Sequence, residues 1–233
     1  MIYITGDTHG IIEEFEKRGL LGDSLLKAGD YLIVAGDFGF IFRTKGTMSY
    51  LDEQMDMEKL KKLPYTILFV DGNHENFFRL YNHYPTEMWN GGRIHRIAPN
   101  IIHLMRGQVY EIEGKRIFTM GGGYSRDKAS RIEGDSWWRE EMPSNGEYRE
   151  ATASLKDVNM QVDVIVTHTA PRKVILGMLR SPDEHELELT GFFDWLMDEV
   201  TYDRWYFGHW HTDSDLGYRG FRAVYSDVVP IGE

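Results

Sequence analysis

The chain contains no cysteine. That excludes disulfides, thiolate nucleophiles and sulfur-ligated zinc or iron–sulfur centres, and it leaves any metal to oxygen and nitrogen donors. No apolar run reaches membrane-spanning length, and the opening "MIYITGDTHG" lacks the basic stretch, apolar core and small-residue cleavage site of a secretory signal, so a cytoplasmic setting without membrane contact is expected. Positive charge is in deficit. Against 37 Asp and Glu stand 26 Lys and Arg, a formal net charge of −11, which repels polyanions at long range and disfavours duplex nucleic acid as a partner. A small anion at a locally positive site is still admitted. Repeats, low-complexity tracts and Pro/Ser-rich linkers are also missing, and 233 residues can still enclose one core, so residues 1–233 are expected to form a single domain.

What is present is a rhythm of short β-rich runs: "IYIT" (2–5), "YLIVA" (31–35), "YTILFV" (65–70), "VDVIVT" (162–167) and "RWYF" (204–207). Runs apolar throughout read as strands buried on both faces. Helical patterns lie between them, around Ile11 to Leu21, Met48 to Leu63, Glu147 to Met160 and His185 to Val200, which makes the fold α/β. Two alternating segments around Glu113-Gly114 predict a hairpin, and "LGYRGFRAVYS" a second, so antiparallel pairing joins the parallel strands. The stretch from Gly121 to Gly146 has no period and reads as a long loop.

Each of the five runs is followed by polar chemistry: "GDTH", "GDFG", "GNHE", "TH" and "GHWH" in turn. In open α/β sheets, sites assemble beyond the carboxyl ends of the strands. Gly6, Gly36, Gly72 and Gly208 precede the polar residues and let backbones crowd round a compact object. The donors are the carboxylates of Asp7 and Asp37, the amide oxygen of Asn73, and the imidazoles of His9, His168, His209 and His211. Seven donors exceed the needs of one ion, whereas two ions sharing a carboxylate would use them all. Taken alone, each residue has a plain alternative. Asp7 and Asp37 suit turns or caps, Asn73 a turn, and His168 a strand end. Nothing structural requires five strand ends to finish this way together. His83, His95, His103 and His185 fall outside these contexts and read as surface or core residues.

The ordered series D-x-H, G-D, G-N-H-[DE], H, G-H-x-H, from Asp7 to His211, resembles the calcineurin-like metallophosphoesterase superfamily. The resemblance implies a four-layer α/β/β/α sandwich of two mixed sheets flanked by helices, with two metals at its top. It implies one metal on Asp7, His9, Asp37 and His211, another on Asp37, Asn73, His168 and His209, and His74 as a catalytic histidine that is not a ligand. The expected chemistry is attack on a phosphate ester by a metal-bridging hydroxide, with His74 protonating the leaving alcohol. Manganese is expected first, and iron or zinc also suits the mixed donors. The superfamily's phosphoprotein phosphatases carry G-D-x-x-D-R where this chain has "GDFGFI". Phe40 and Ile41 replace the Asp that orients the histidine and the Arg that grips phosphate, so protein phosphatase activity is disfavoured.

The Gly121–Gly146 segment resembles one found in a bacterial, partly phage-associated subgroup. Within it Arg126 and Lys128 are candidates for gripping the substrate phosphate, set against a reading as surface ion pairs, while Trp137 and Trp138 read first as core caps and second as stacking platforms. The leading expectation is a metal-dependent phosphoesterase on a small phosphorylated substrate, with a phosphodiester or nucleotide preferred. A nuclease on single-stranded nucleic acid and a non-catalytic metal-binding interaction scaffold are the alternatives.

Overall fold

The computed structural model describes residues 1–232. It contains a seven-stranded and a six-stranded sheet. The first is built from β1 (Ile2–Thr5), β2 (Tyr31–Val34), β3 (Thr66–Phe69), β4 (Thr86–Trp89), β5 (Gly92–Ala98), β6 (Ile101–Leu104) and a last strand, β13 (Val229–Pro230). The second comprises β7 (Gln108–Ile112), β8 (Lys115–Met120), β9 (Val164–Thr167), β10 (Arg204–Phe207), β11 (Ser214–Asp215) and β12 (Phe221–Ala223). Strand orders are β13-β1-β2-β3-β6-β5-β4 and β11-β12-β10-β9-β8-β7. Parallel pairing joins β1 to β2 to β3, and β8 to β9 to β10, so the five motif-bearing strands sit side by side in two groups.

The apolar runs alternate between two burial environments. Ile4, Ile33 and Leu68 of the first sheet meet Ile117, Val164, Val166 and Tyr206 of the second in a core between the sheets. Their neighbours Tyr3, Leu32, Val34, Ile67 and Phe69 face outward against Phe15, Met57 and Leu60, which belong to α1 (Ile12–Lys17) and α2 (Met48–Leu60). Ile165, Trp205 and Phe207 face the other way, onto Leu155, Ile175, Phe193 and Leu196, from α4 (Asn145–Asp157), α5 (Arg172–Gly177) and α6 (Leu187–Glu199). The layers are therefore helix, sheet, sheet, helix, and this explains why the strands lack a polar face. Ile33, wholly buried between the sheets, gains about 1.5–3 kcal/mol from that burial.

The expected hairpin β7–β8 forms across Glu113-Gly114, and β12 pairs antiparallel with β11, which lies just ahead of the "LGYRGFRAVYS" segment rather than within it. The helix starting near Glu147 begins at Asn145 because Ser144 caps it: its hydroxyl accepts from Glu147 N, and the Glu147 carboxylate accepts from Ser144 N. The short α3 (Phe77–His83), α5 and strands β4 to β6 have no counterpart in the sequence reading. At six or seven residues, α3 and α5 are too short to establish a helical period and are held by packing. No helix among the described residues is long and apolar enough to cross a membrane.

Candidate metal centre

Beyond the carboxyl ends of β1, β2, β3, β9 and β10, the two sheets bring their loops to one place. Asp37 lies in the middle. Its Oδ2 is 3.6 Å from His9 Nδ1, and its Oδ1 is 3.4 Å from His168 Nε2. Around the first oxygen gather His9 and His211, whose Nε2 atoms are 3.0 Å apart, with Asp7 Oδ2 at 3.1 Å from His211 Nε2 and 3.8 Å from His9 Nε2. Around the second gather Asn73 Oδ1, 3.2 Å from His168 Nε2, and His209 Nδ1, 3.1 Å from the same nitrogen. All seven donors singled out in the sequence thus converge in two adjoining sets.

The donor chemistry fits cations. Imidazole nitrogens facing each other at 3.0 and 3.1 Å would repel, lone pair to lone pair, unless a proton or metal sits between them. Neighbouring donors ~2.1 Å from an octahedral ion are themselves roughly 3 Å apart. Asp7 Oδ2 is buried and accepts no hydrogen bond, the state expected of an atom reserved for a metal. Among the described residues, no Arg or Lys nitrogen comes within 4.0 Å of either carboxylate. Burial disfavours a charged His168, but Asp37 and Asp7 outweigh it and hold the ring up at about 9. Burial, with His168 adding to it, pushes His209 down to about 3. Asp37 stays well below the ordinary carboxylate range, because the surrounding imidazoles overcome its desolvation. Metal binding at His168 would release its proton.

Backbone strain concentrates here. His9, Asp37, His209 and His211 have φ values of 50°, 47°, 65° and 46°, a left-handed region that costs such residues on the order of 1–3 kcal/mol each and persists where surroundings over-determine it. The glycines explain the crowding. A Cβ on Gly36, itself at φ +91°, would lie 2.0 Å from His168 Nδ1, and one on Gly72 would lie 2.1 Å from Asp37 Oδ1.

His74 sits beside the centre, its ring 4.8 Å from that of His9 and its backbone N–H donating to Asp37 Oδ1 at 2.8 Å. A nitrogen of His74 lies within 4.8 Å of donors from His9 and Asp37, so proximity alone would admit it as a ligand. Arg131 instead donates to His74 Nε2 at 3.1 Å. Burial lowers the pKa of this ring, with smaller contributions from His9 and Arg131 opposing its charge.

A cavity of about 460 Å³ is lined by His9, Asp37, Asn73, His74, His209 and His211, and continues past Tyr124, Arg126, Asp127, Arg131, Arg180 and Trp210. Arg126 thus reaches the cavity. Lys128 does not line it; its ammonium packs over the rings of Tyr124 and Trp137, at 4.2 and 4.4 Å. Trp138 is a core residue. His95 and His103 are buried, His83 and His185 are exposed, and none of the four joins the centre.

Of four supporting residues, Arg131, Arg18 and Glu186 had no sequence signal as such, while Glu75 closes the G-N-H-[DE] motif. Arg131, which meets His74, is held by Asp127 (Nε to Oδ1, 2.8 Å). Arg18 is buried and donates to Thr5 Oγ1, Gly6 O and Asp7 O, fixing the first loop. Glu186 accepts from Tyr124 N at 2.8 Å and places Oε1 3.4 Å from His209 Nε2, so the ring turns Nδ1 toward the centre. Glu75, adjacent to His74, points away from it. Its carboxylate accepts from Gly72 N and Gly39 N, tying the second and third loops, and burial together with Asp37 pushes it up to about 8.

The chain is similar to known proteins. A lariat debranching enzyme from Schizosaccharomyces pombe is 28% identical over 188 residues, 73% of this chain, which spans only 37% of that protein. The crystal structure of a phosphopantetheinyl hydrolase from Mycobacterium tuberculosis aligns over 97% of this chain and 89% of its own, with TM-score 0.47 and 16% identity. The model of the calcineurin-like phosphoesterases matches residues 1–213, and the chain therefore belongs to that family of metal-dependent phosphoester hydrolases.

Proposed function

We propose that this chain hydrolyses phosphate esters with two divalent cations, manganese first and iron or zinc also suitable, and that it prefers phosphodiesters or nucleotides to simple monoesters. The observation that carries this reading is the Asp37 carboxylate, whose two oxygens address two separate donor sets. Asp7, His9 and His211 would complete one ion's shell, and Asn73, His168 and His209 the other's, with Asp37 common to both. Oxygen and imidazole donors without sulfur suit manganese. Bound there, the pair supplies Lewis-acid polarisation of the phosphoryl group and an ionised water at neutral pH.

The chain's own residues do the rest. Asp37 and the strained loops hold the donors in place before substrate arrives, so little reorganisation is left for the reaction. His74 lies at the cavity wall, where a leaving alkoxide would need a proton. At rest its Nε2 lone pair is occupied by Arg131. For this nitrogen to deliver a proton, Arg131 has to turn from the ring to the phosphate, which also removes a charge opposing protonation of the ring. The cavity, about 460 Å³, accommodates a leaving group of nucleotide size. The relative named for lariat debranching supports a diester.

Protein loaded with Mn²⁺ should turn over bis-p-nitrophenyl phosphate and stop when a chelator is added. His74→Asn should lower kcat by about 10²–10⁴-fold with metal content unchanged. No turnover by folded, loaded protein, or a His74→Asn variant equal to wild type, overturns the reading.

A further inference from the structure

Among the described residues, two exposed arginines of the cavity lining make no ion pair. Arg126 and Arg180 both line it, with guanidinium carbons 5.1 and 5.8 Å from the centroid of the Trp210 ring. Arg126 donates to Ser181 O at 2.8 Å. Among the described residues, neither has a carboxylate oxygen within 4.0 Å, whereas Arg131, the third arginine of the lining, is paired with Asp127. Asp183 and Glu186 feel the charge of Arg126 but make their hydrogen bonds elsewhere. Asp183 accepts from the backbone N–H and Nδ1 of His185, and Glu186 from Tyr124 N.

Arg126 and Arg180 are both exposed to the cavity, so each adds to a positive potential that an anion bound there would lower. The pair is registered to the metal centre, because Trp210 is the residue between His209 and His211 and is only 6% exposed. Its ring already carries two cations and so offers no free platform for a base. The feature reads a charge.

We infer that Arg126 and Arg180 form a second phosphate subsite, and that the substrate is a phosphoester bearing one further phosphate beyond the scissile group. This rests on the phosphoesterase reading for the scissile end of the cavity. Phosphate suits this pair better than a carboxylate, since it brings more charge and three terminal oxygens to forked guanidiniums.

The test compares thymidine 5′-(p-nitrophenyl phosphate) with the same ester carrying a 3′-phosphate. The added phosphate should lower KM and raise kcat/KM by about tenfold or more at low salt, the gain shrinking as ionic strength rises. In Arg126→Gln/Arg180→Gln, whose folding is verified by thermal melting, the ratio of the two substrates should fall close to one. Arg116→Gln/Arg149→Gln, which removes two exposed arginines elsewhere, should keep it. Calorimetric binding of thymidine 3′,5′-bisphosphate against thymidine 5′-monophosphate should give the same preference and the same loss. Equal constants for the paired ligands in wild type overturn the inference, as does a preference that survives the double substitution, or an equal gain from a 3′-O-carboxymethyl group. Wild type that cleaves neither ester, yet keeps the calorimetric preference and loses it in the double variant, upholds the subsite and removes the phosphoesterase reading alone.

Discussion

Two buried acid–histidine clusters flank the end of β3, and they solve the same electrostatic problem differently. In one, Asp71 accepts from Arg106 Nε and Nη2 at 2.8 and 2.6 Å and lies 3.1 Å from His103 Nε2. His103 in turn stacks on His95 with Nδ1 atoms 3.0 Å apart. Arg106 also donates to the carbonyls of Glu140 and Glu141. That cluster carries its own cation, and none of its four residues has positive φ. In the other, Asp7 and Asp37 meet imidazoles and backbone N–H groups but no arginine or lysine among the described residues, Asp7 Oδ2 has no hydrogen bond, and four of the seven donors sit at positive φ. A buried carboxylate has to be neutralised. Where no arginine is supplied and the backbone is strained to aim donors, the missing charge is left for an ion to bring.

The sharpest way to break this contrast is Asp37→Asn. If Asp37 joins two ions, metal content measured by mass spectrometry should fall below two per chain, and activity by at least about a hundredfold, the upper end of what outer-shell changes alone cost. Unchanged stoichiometry would make the two clusters alike. Next comes Arg106→Met. Removing the resident cation strands Asp71 and should cost about 3–5 kcal/mol of unfolding free energy, read from urea titration, while bound metal per folded molecule stays constant.

Acid separates the clusters a third way. Burial raises the pKa of Asp71, but Arg106 and His103 outweigh it and hold it at about 2. Because this folded value is depressed below ~3.9 in the unfolded chain, the associated stability is present above about pH 4 and is lost as pH falls through about 2. A shift of this size corresponds to about 2–3 kcal/mol. Asp71→Asn should flatten that limb of the stability curve measured on metal-free protein. The smallest effect is expected from Glu186→Gln, which keeps a hydrogen-bond acceptor at His209 but removes the charge. Metal affinity by competition titration should drop about tenfold, with little change in melting temperature of the metal-free protein.

Much of the fold could be read directly because β1, β2, β3, β9 and β10 are short, apolar and each followed by a distinctive polar motif. The seven donors could be read for the same reason, since each motif is a local string. Arg131 could not, although it stands in the expected loop, because nothing near it in the chain points to His74, 57 positions away. Glu186 and Arg180 lie in the stretch around α5 and α6, which carries none of the five motifs. Lys128, next to a promising arginine, turns onto Tyr124 and Trp137, because an ammonium on a long stem settles on whatever aromatic face packing puts beside it.

The sequence by itself determined which chemical groups this protein can bring to a site, how many, and in what order along the strands, because residue type and period-two burial are written locally. Only the tertiary structure decided which oxygen of Asp37 faces which donors, which arginine meets His74 and which pair is left without a counter-ion. Those outcomes depend on how two sheets stack and how left-handed backbone turns aim side chains across gaps of 3–4 Å, distances that no spacing along the chain encodes.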